Sequence, residues 1–194
     1  MIPPSAWVVR WGHLVTPGGT VLDLAAGSGR HSTWFAARGH AVTAVDRDGD
    51  ALRLLPGAVI TLVADVEQDP WPLPGRTFDG VVVTNYLWRP LFGAIVEAVG
   101  PGGVLIYETF ATGQETVGRP KRLDFLLAHG ELLGRVASLR IVAFEDGFLS
   151  APERFVQRIV AVREAAAPPA PRFLLGEAAA ASRSVESSGQ GSSE

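Results

Sequence analysis

The sequence predicts an α/β fold: a doubly wound, mostly parallel seven-stranded sheet with helices on both faces and a terminal antiparallel hairpin. Three observations predict it. Strand-like and helix-like patterns alternate from Thr20 to Thr109. The strand segments are short apolar runs, as expected where helices cover both faces of a parallel sheet. After Phe110 the rhythm changes, and two further strand-like runs follow without a helical pattern between them.

Each element has a local reason. Val21 to Ala25 is an apolar run ending in small residues, and it reads as a buried strand. Arg30 to Arg38 reads as a helix, with Gly39 just past its end as a C-cap. Ala41 to Asp46 is a second strand, after which Asp48 can cap a short helix running to Leu55 before Pro56. Val59 to Val63 gives a third strand and Phe78 to Thr84, centred on three valines, a fourth. Pro90 stands where a helix's first position belongs, and Gly100-Pro101 closes that helix. Gly103 to Thr109 is the fifth strand. Roughly 28 residues of loop and helix, including FLLAHGELL, then lead to Leu139–Phe144 and Phe155–Val162, which pair as the hairpin.

The expected organisation is an N-terminal helical segment over residues 1–19, a main domain over 20–163 and a disordered tail over 164–194. The tail is rich in Ala, Pro, Ser and Gly, and it cannot bury enough apolar area to offset its ordering entropy. Trp7 and Trp11 lie one helical turn apart in SAWVVRWGH. They suit either a lid or a helix packed in the core.

Composition excludes several functions. The chain of 194 residues carries 17 basic and 20 acidic side chains, a formal net charge of −3. Nucleic-acid binding rests on clustered Lys and Arg, so that partner is disfavoured. With no cysteine, the chain has no thiolate nucleophile, disulfide or Cys-ligated metal. No two histidines have metal-ligand spacing, so no metal site is expected. No secretory signal is read at MIPPSAWVVRWGH and no apolar run reaches about 18 residues, so no membrane span is expected. The expected location is the cytoplasm of a bacterium, whose GC-rich genome also explains why Lys121 is the one lysine.

The segment LDLAAGSGR, Leu22 to Arg30, carries the first chemistry. A dinucleotide fingerprint reads G-x-G-x-x-G, whereas here Gly27 and Gly29 are followed by Ser32. Asp46 ends the second strand, where an acid accepts from ribose hydroxyls. A further acid, Asp23, lies inside the first strand, four residues before Gly27. A carboxylate there is a poor neighbour for a pyrophosphate and a good one for a cation such as S-adenosylmethionine, which bears an ammonium and a sulfonium.

LDLAAGSGR, AVDRD, VADVEQDPWPL, FDGVVVTNYLW and GPGGVLIYETF together, in this order, resemble the class I S-adenosylmethionine-dependent methyltransferases. The likeness covers Val21 to Val162, and in texture it is nearest to small bacterial enzymes of the tellurite-resistance type. It implies a Rossmann-like sheet and S-adenosylmethionine as cofactor. Asp23, Ala25, Gly27 and Gly29 would then face the methionine end, Asp46 the ribose, and Arg47, Asp65 and Val66 the adenine. Thr84 and Asn85 would flank the donor methyl. Tyr86, Trp88, Arg89 and Phe110 are the expected acceptor wall. The basic stretch Arg119, Lys121 and Arg122 suits an anionic substrate or a solvated loop, and His129 a helix break.

Methyl transfer from a sulfonium asks mainly for positioning, so a general base is optional. Tyr86, Glu108 and His31 are the candidates for one. The reading is a methyltransferase acting on a small molecule, of undetermined oligomeric state. The alternatives are a non-catalytic protein that binds the same cofactor, a nucleic-acid methyltransferase and a nicotinamide oxidoreductase. TNYLW stands where amino-methylating enzymes of bases often carry N-P-P-[YF].

Overall fold

A computed structural model describes residues 2–165 and 172–175. Its seven strands are β1 (Thr20–Leu24), β2 (Ala41–Asp46), β3 (Ile60–Val63), β4 (Phe78–Thr84), β5 (Val99–Phe110), β6 (Arg140–Ser150) and β7 (Glu153–Val162). They form one sheet in the order β3-β2-β1-β4-β5-β7-β6. The first five are parallel, while β7 runs antiparallel to both β5 and β6. The terminal hairpin therefore closes the sheet with its second strand on the inside. Expectations for residues 164–194 lie, apart from 164–165 and 172–175, outside the described residues.

The helices are short. They are α1 (Ala6–Trp11), α2 (Arg30–Ala36), α3 (Gly49–Arg53), α4 (Phe92–Glu97), α5 (Gln114–Val117) and α6 (Glu131–Arg135). Asp48 caps α3 as expected, its Oδ1 accepting from the amides of Asp50 and Ala51. Pro90 sits in a 3-10 turn, Arg89–Leu91, that leads into α4. The fifth strand starts at Val99, not Gly103, because Val99 already pairs with Phe78 before a register shift restores Gly80↔Val104. Gly100-Pro101 thus opens that strand within an irregularity, rather than only closing a helix.

Two apolar clusters fill the two faces of the sheet. One packs Leu22, Val83, Leu105 and Ile159 against Phe92, Ile95 and Leu132. The other packs Val21, Val82, Ile106 and Val160 against Trp7, Trp11 and Phe35. Trp7 and Trp11 are each 1% exposed. A tryptophan buries roughly 150–250 Å², so each contributes at most about 4–6 kcal/mol to docking α1 on the sheet. Arg163 ties the end of β7 to the start of β5, its Nε donating to the Val99 carbonyl at 2.7 Å. No helix among the described residues is long and apolar enough to cross a membrane.

Candidate active site

The strand order reverses direction between β1 and β4, and in such sheets the crevice beyond the C-terminal strand ends at that point accepts ligands. Backbone strain marks both lips of this crevice. Ala25, just after β1, and Asn85, just after β4, each have φ of 54°. A non-glycine residue in that region costs roughly 1–2 kcal/mol, and such strain gathers at ligand sites. Asn85 is held there by its amide, which donates to the Glu108 carbonyl at 2.8 Å.

Between the lips runs the glycine loop. Gly27 (φ 54°) and Gly29 (φ 65°) both take the left-handed conformation that glycine adopts freely. Their surroundings differ. A Cβ on Gly27 would meet nothing within 4 Å, whereas one on Gly29 would lie 2.1 Å from Leu55 Cδ2. Gly29 is therefore fitted to its own protein, and Gly27 to open space. Asp46, at the end of β2, secures the loop: its Oδ2 accepts from Gly27 N at 2.7 Å and its Oδ1 from Asp48 N at 2.8 Å.

A cavity of about 180 Å³ opens beside this loop, lined by Ala25, Val45, Asp46, Arg47, Ala64, Asp65, Val66, Glu67 and Tyr86. Two further chambers follow. One of about 220 Å³ includes Asn85, Tyr86, Thr109, Phe110, Pro120 and Phe125 in its wall. The other, of about 420 Å³, adds Trp88, Arg89, Arg122 and Asp124. Glu67 borders all three. The Tyr86 hydroxyl is sealed from solvent and meets hydrogen-bond geometry with no group. Burial, and then the neighbouring Glu67 charge, push its ionisation well above the usual phenol range. It stays a phenol at neutral pH.

A buried polar row lies on the other side of the strand ends. Asp23 is 1% exposed, His31 2% and Glu108 0%. Asp23 Oδ2 accepts from both the amide (2.9 Å) and hydroxyl (2.6 Å) of Ser32, early in α2. Burial raises the Asp23 pKa to about 6 despite those bonds. His31 Nε2 accepts from the Ser5 amide at 3.1 Å, which leaves the proton on Nδ1, 3.5 Å from Thr84 Oγ1. Burial, and then the charge of Arg30, lower its pKa to about 3, so the ring is neutral. Glu108 Oε1 accepts from Ser5 Oγ at 2.9 Å, and the carboxylate pairs with Arg154 at 3.6 Å and Arg158 at 3.4 Å. Ser5 thus bridges His31 and Glu108 across this row.

Residues 21–103 match the family model described as a methyltransferase domain. The similarity of these residues is to a methyltransferase domain. No curated protein matches it. Among solved structures it is similar to TehB from Haemophilus influenzae, with a TM-score of 0.69 at 18% identity over 83% of this chain. The chain spans 63% of the length of that protein. A SAM-dependent methyltransferase from Methanosarcina mazei superposes with a TM-score of 0.65 at 16% identity, over 84% of this chain and 100% of that one. The glycopeptide N-methyltransferase MtfA, complexed with S-adenosylmethionine, gives 0.53 at 19% identity over 74% and 86%. At these identities the likeness is one of fold.

Ala25, Asp46, Arg47, Asp65, Val66 and Tyr86 are brought to one cavity, and Gly27 is hydrogen-bonded to its edge. Asn85, Tyr86 and Phe110 share the second chamber, Trp88 and Arg89 the third. Asp23, Thr84, His31 and Glu108 line none of the three; they form the buried row that Ser5 bridges. Arg89 spends its guanidinium on the protein, donating to Glu131 at 2.8 and 2.9 Å and to the carbonyls of Asp124 and Leu126. Arg122 pairs with Asp124 at 2.8 Å, and His129 lies 3.5 Å from Asp146. No group of three or more acidic or histidine side chains among the described residues is arranged to hold a metal. Sequence reasoning missed Ser5, Glu67, Phe125 and the two arginines on Glu108. The one available signal was Glu67, two residues beyond Asp65 in the same loop.

Proposed function

We propose that this chain transfers a methyl group in line from S-adenosylmethionine to a small-molecule acceptor. The observation that carries the reading is the convergence of Gly27, Asp46 and Asp65, from three successive strand ends, on one cleft at the topological switch point. The donor set fits an adenosine. A carboxylate has about four lone-pair sites; Asp46 uses two on Gly27 and Asp48, leaving two for a pair of ribose hydroxyls. Asp65 and the Val66 backbone take the adenine edge, with Arg47 against the ring. The open side of Gly27 lets backbone amides approach the methionine end. Asp23 supports that end of the loop from below, through the amide and hydroxyl of Ser32.

When bound, the cofactor supplies a methyl group already activated by its sulfonium. The chain supplies position and exclusion of water, which account for about 7–11 kcal/mol where reactants are well aligned. None of the three candidate bases is free to take a proton: both His31 nitrogens are engaged, Glu108 is ion-paired and Tyr86 stays protonated. The acceptor therefore brings its own lone pair. Tyr86, Trp88 and Phe110 wall the acceptor space, and Arg89 holds its outer loop in place. A net charge of −3 supports a small molecule over a nucleic acid as partner.

The test is turnover. The purified chain is incubated with methyl-labelled cofactor and a panel of amines, thiols and oxyanions, while calorimetry compares S-adenosylhomocysteine with NAD(P). Labelled product and heat with S-adenosylhomocysteine alone are expected. Heat with a nicotinamide nucleotide and none with S-adenosylhomocysteine would overturn the reading.

A further inference from the structure

The middle chamber has an unusual charge pattern. Three aromatic side chains, Tyr86, Phe110 and Phe125, stand in its wall. The carboxylate of Glu67 stands with them, partly buried, and no cationic group lies within ion-pair distance of it among the described residues. Of the arginines lining these chambers, Arg47 shares the first with Glu67 but makes no ion pair with it, and the other two are committed. Arg89 is paired with Glu131 and Arg122 with Asp124. Pairing cancels those charges, so Glu67 is the uncompensated one at the junction of all three chambers.

A partly desolvated carboxylate without a cation is held at a cost that a cationic guest would remove. Aromatic faces also attract cations through their quadrupoles. An oxyanion in the same place would meet repulsion from Glu67 and gain no cation. Building on the methyltransferase reading above, we propose that the acceptor carries an ammonium group, bound in this chamber by Glu67 and the aromatic wall of Tyr86, Phe110 and Phe125. The anchored ammonium is a handle and not the reacting atom, since a protonated amine has no lone pair with which to attack. Glu67 thereby sets acceptor specificity by charge.

The test uses the full chain saturated with S-adenosylhomocysteine and three probes of matched size: phenethylammonium, 2-phenylethanol and phenylacetate. Calorimetry measures each affinity, and S-adenosylhomocysteine is titrated first. If that titration gives no heat, the cofactor reading fails, and with it the proposal's foundation. If it binds, phenethylammonium is expected to bind about tenfold more tightly than the alcohol, with phenylacetate weakest. Glu67→Gln should abolish the preference of ammonium over alcohol, a ratio taken within one variant and so insensitive to general loss of affinity. Glu67→Asp should keep part of it. Equal binding of ammonium and alcohol, tighter binding of phenylacetate, an unchanged ratio in Glu67→Gln, or no binding of any probe would each overturn the proposal while leaving the cofactor reading intact.

Discussion

Asp46 and Gly27 are joined by a 2.7 Å hydrogen bond from the loop amide to the carboxylate, so the acid at the end of β2 shapes the glycine loop before any ligand arrives. Replacing Asp46 with Ala removes that bond and the one from Asp48. Each charge-assisted bond of this kind contributes about 1.5–3 kcal/mol. The expected outcome is a lower melting temperature together with at least tenfold weaker binding of S-adenosylhomocysteine, read by calorimetry. Asp46→Asn keeps acceptor oxygen on one side only and should fall between. Unchanged affinity in Asp46→Ala would remove the ribose role.

The two loop glycines should separate stability from binding. Gly29→Ala adds left-handed strain and drives a methyl into Leu55, so it should cost about 1–3 kcal/mol of stability. Gly27→Ala carries the strain alone, about 1–2 kcal/mol, but points its methyl into the open crevice. Denaturant melts should rank Gly29→Ala as the less stable variant. Cofactor titration should rank Gly27→Ala as the weaker binder relative to its stability.

Asp23 and His31 give opposing pH dependences. The native Asp23 titrates near 6, above the unfolded carboxylate at about 4. The native state therefore holds more protons in that window, and stability falls as pH rises through it. At pH 7 the penalty is of order 3 kcal/mol. Native His31 titrates near 3, below the unfolded value of about 6.5. Its contribution is complete above that unfolded value and is lost as pH falls toward 3. Asp23→Asn should accordingly be more stable than the parent at pH 7, with the gain gone below about pH 4, and should bind S-adenosylmethionine less well. His31→Gln, which keeps an acceptor for the Ser5 amide, should flatten the acid side of the stability curve. Urea melts from pH 3 to 8 check both slopes.

Arg89 is expected to act through the loop it holds. Burial alone would raise the Glu131 pKa, but hydrogen bonds from Arg89, from the Ala128 amide and from Arg135 hold it at about 2. Glu131 therefore stabilises the fold above the ordinary carboxylate range and loses that contribution as pH falls toward 2. Arg89→Ala frees the carbonyls of Asp124 and Leu126. It should speed hydrogen exchange across residues 122–128 and raise the acceptor KM several-fold. Affinity for S-adenosylhomocysteine should hold, since Arg89 does not line the chamber beside the glycine loop. Arg89→Lys should not rescue, since a lysine cannot reproduce the fork.

The parts of the fold legible in the sequence were those written locally. Each parallel strand is an apolar run between breakers, and the glycine loop with its flanking acids lies within one short stretch, so Gly27, Asp46 and Asp65 could be read before any coordinates. The start of β5 could not, because it depends on Val99 finding Phe78 across the sheet. The buried polar row was hidden for the same reason. Ser5 and Glu108 are 103 residues apart, and nothing near either residue announces the other. Arg89 looked like a substrate ligand because its neighbours are aromatic; its partner Glu131 lies 42 residues on. Glu67 showed the reverse problem, a residue beside the Tyr86 hydroxyl whose interest lies in lacking a paired cation among the described residues.

The placement of β7 between β5 and β6 has a consequence for synthesis. A chain emerging from the ribosome can assemble β1 to β5 as soon as they appear, but β6 must wait, because its seat is offered only by β7. Arg154 and Arg158, which neutralise Glu108, arrive with that same strand. Until then the carboxylate that receives Ser5 stands without its cations. Strands β6 and β7 thus complete a buried charge cluster whose other members, Ser5 and Glu108, stand far earlier in the sequence.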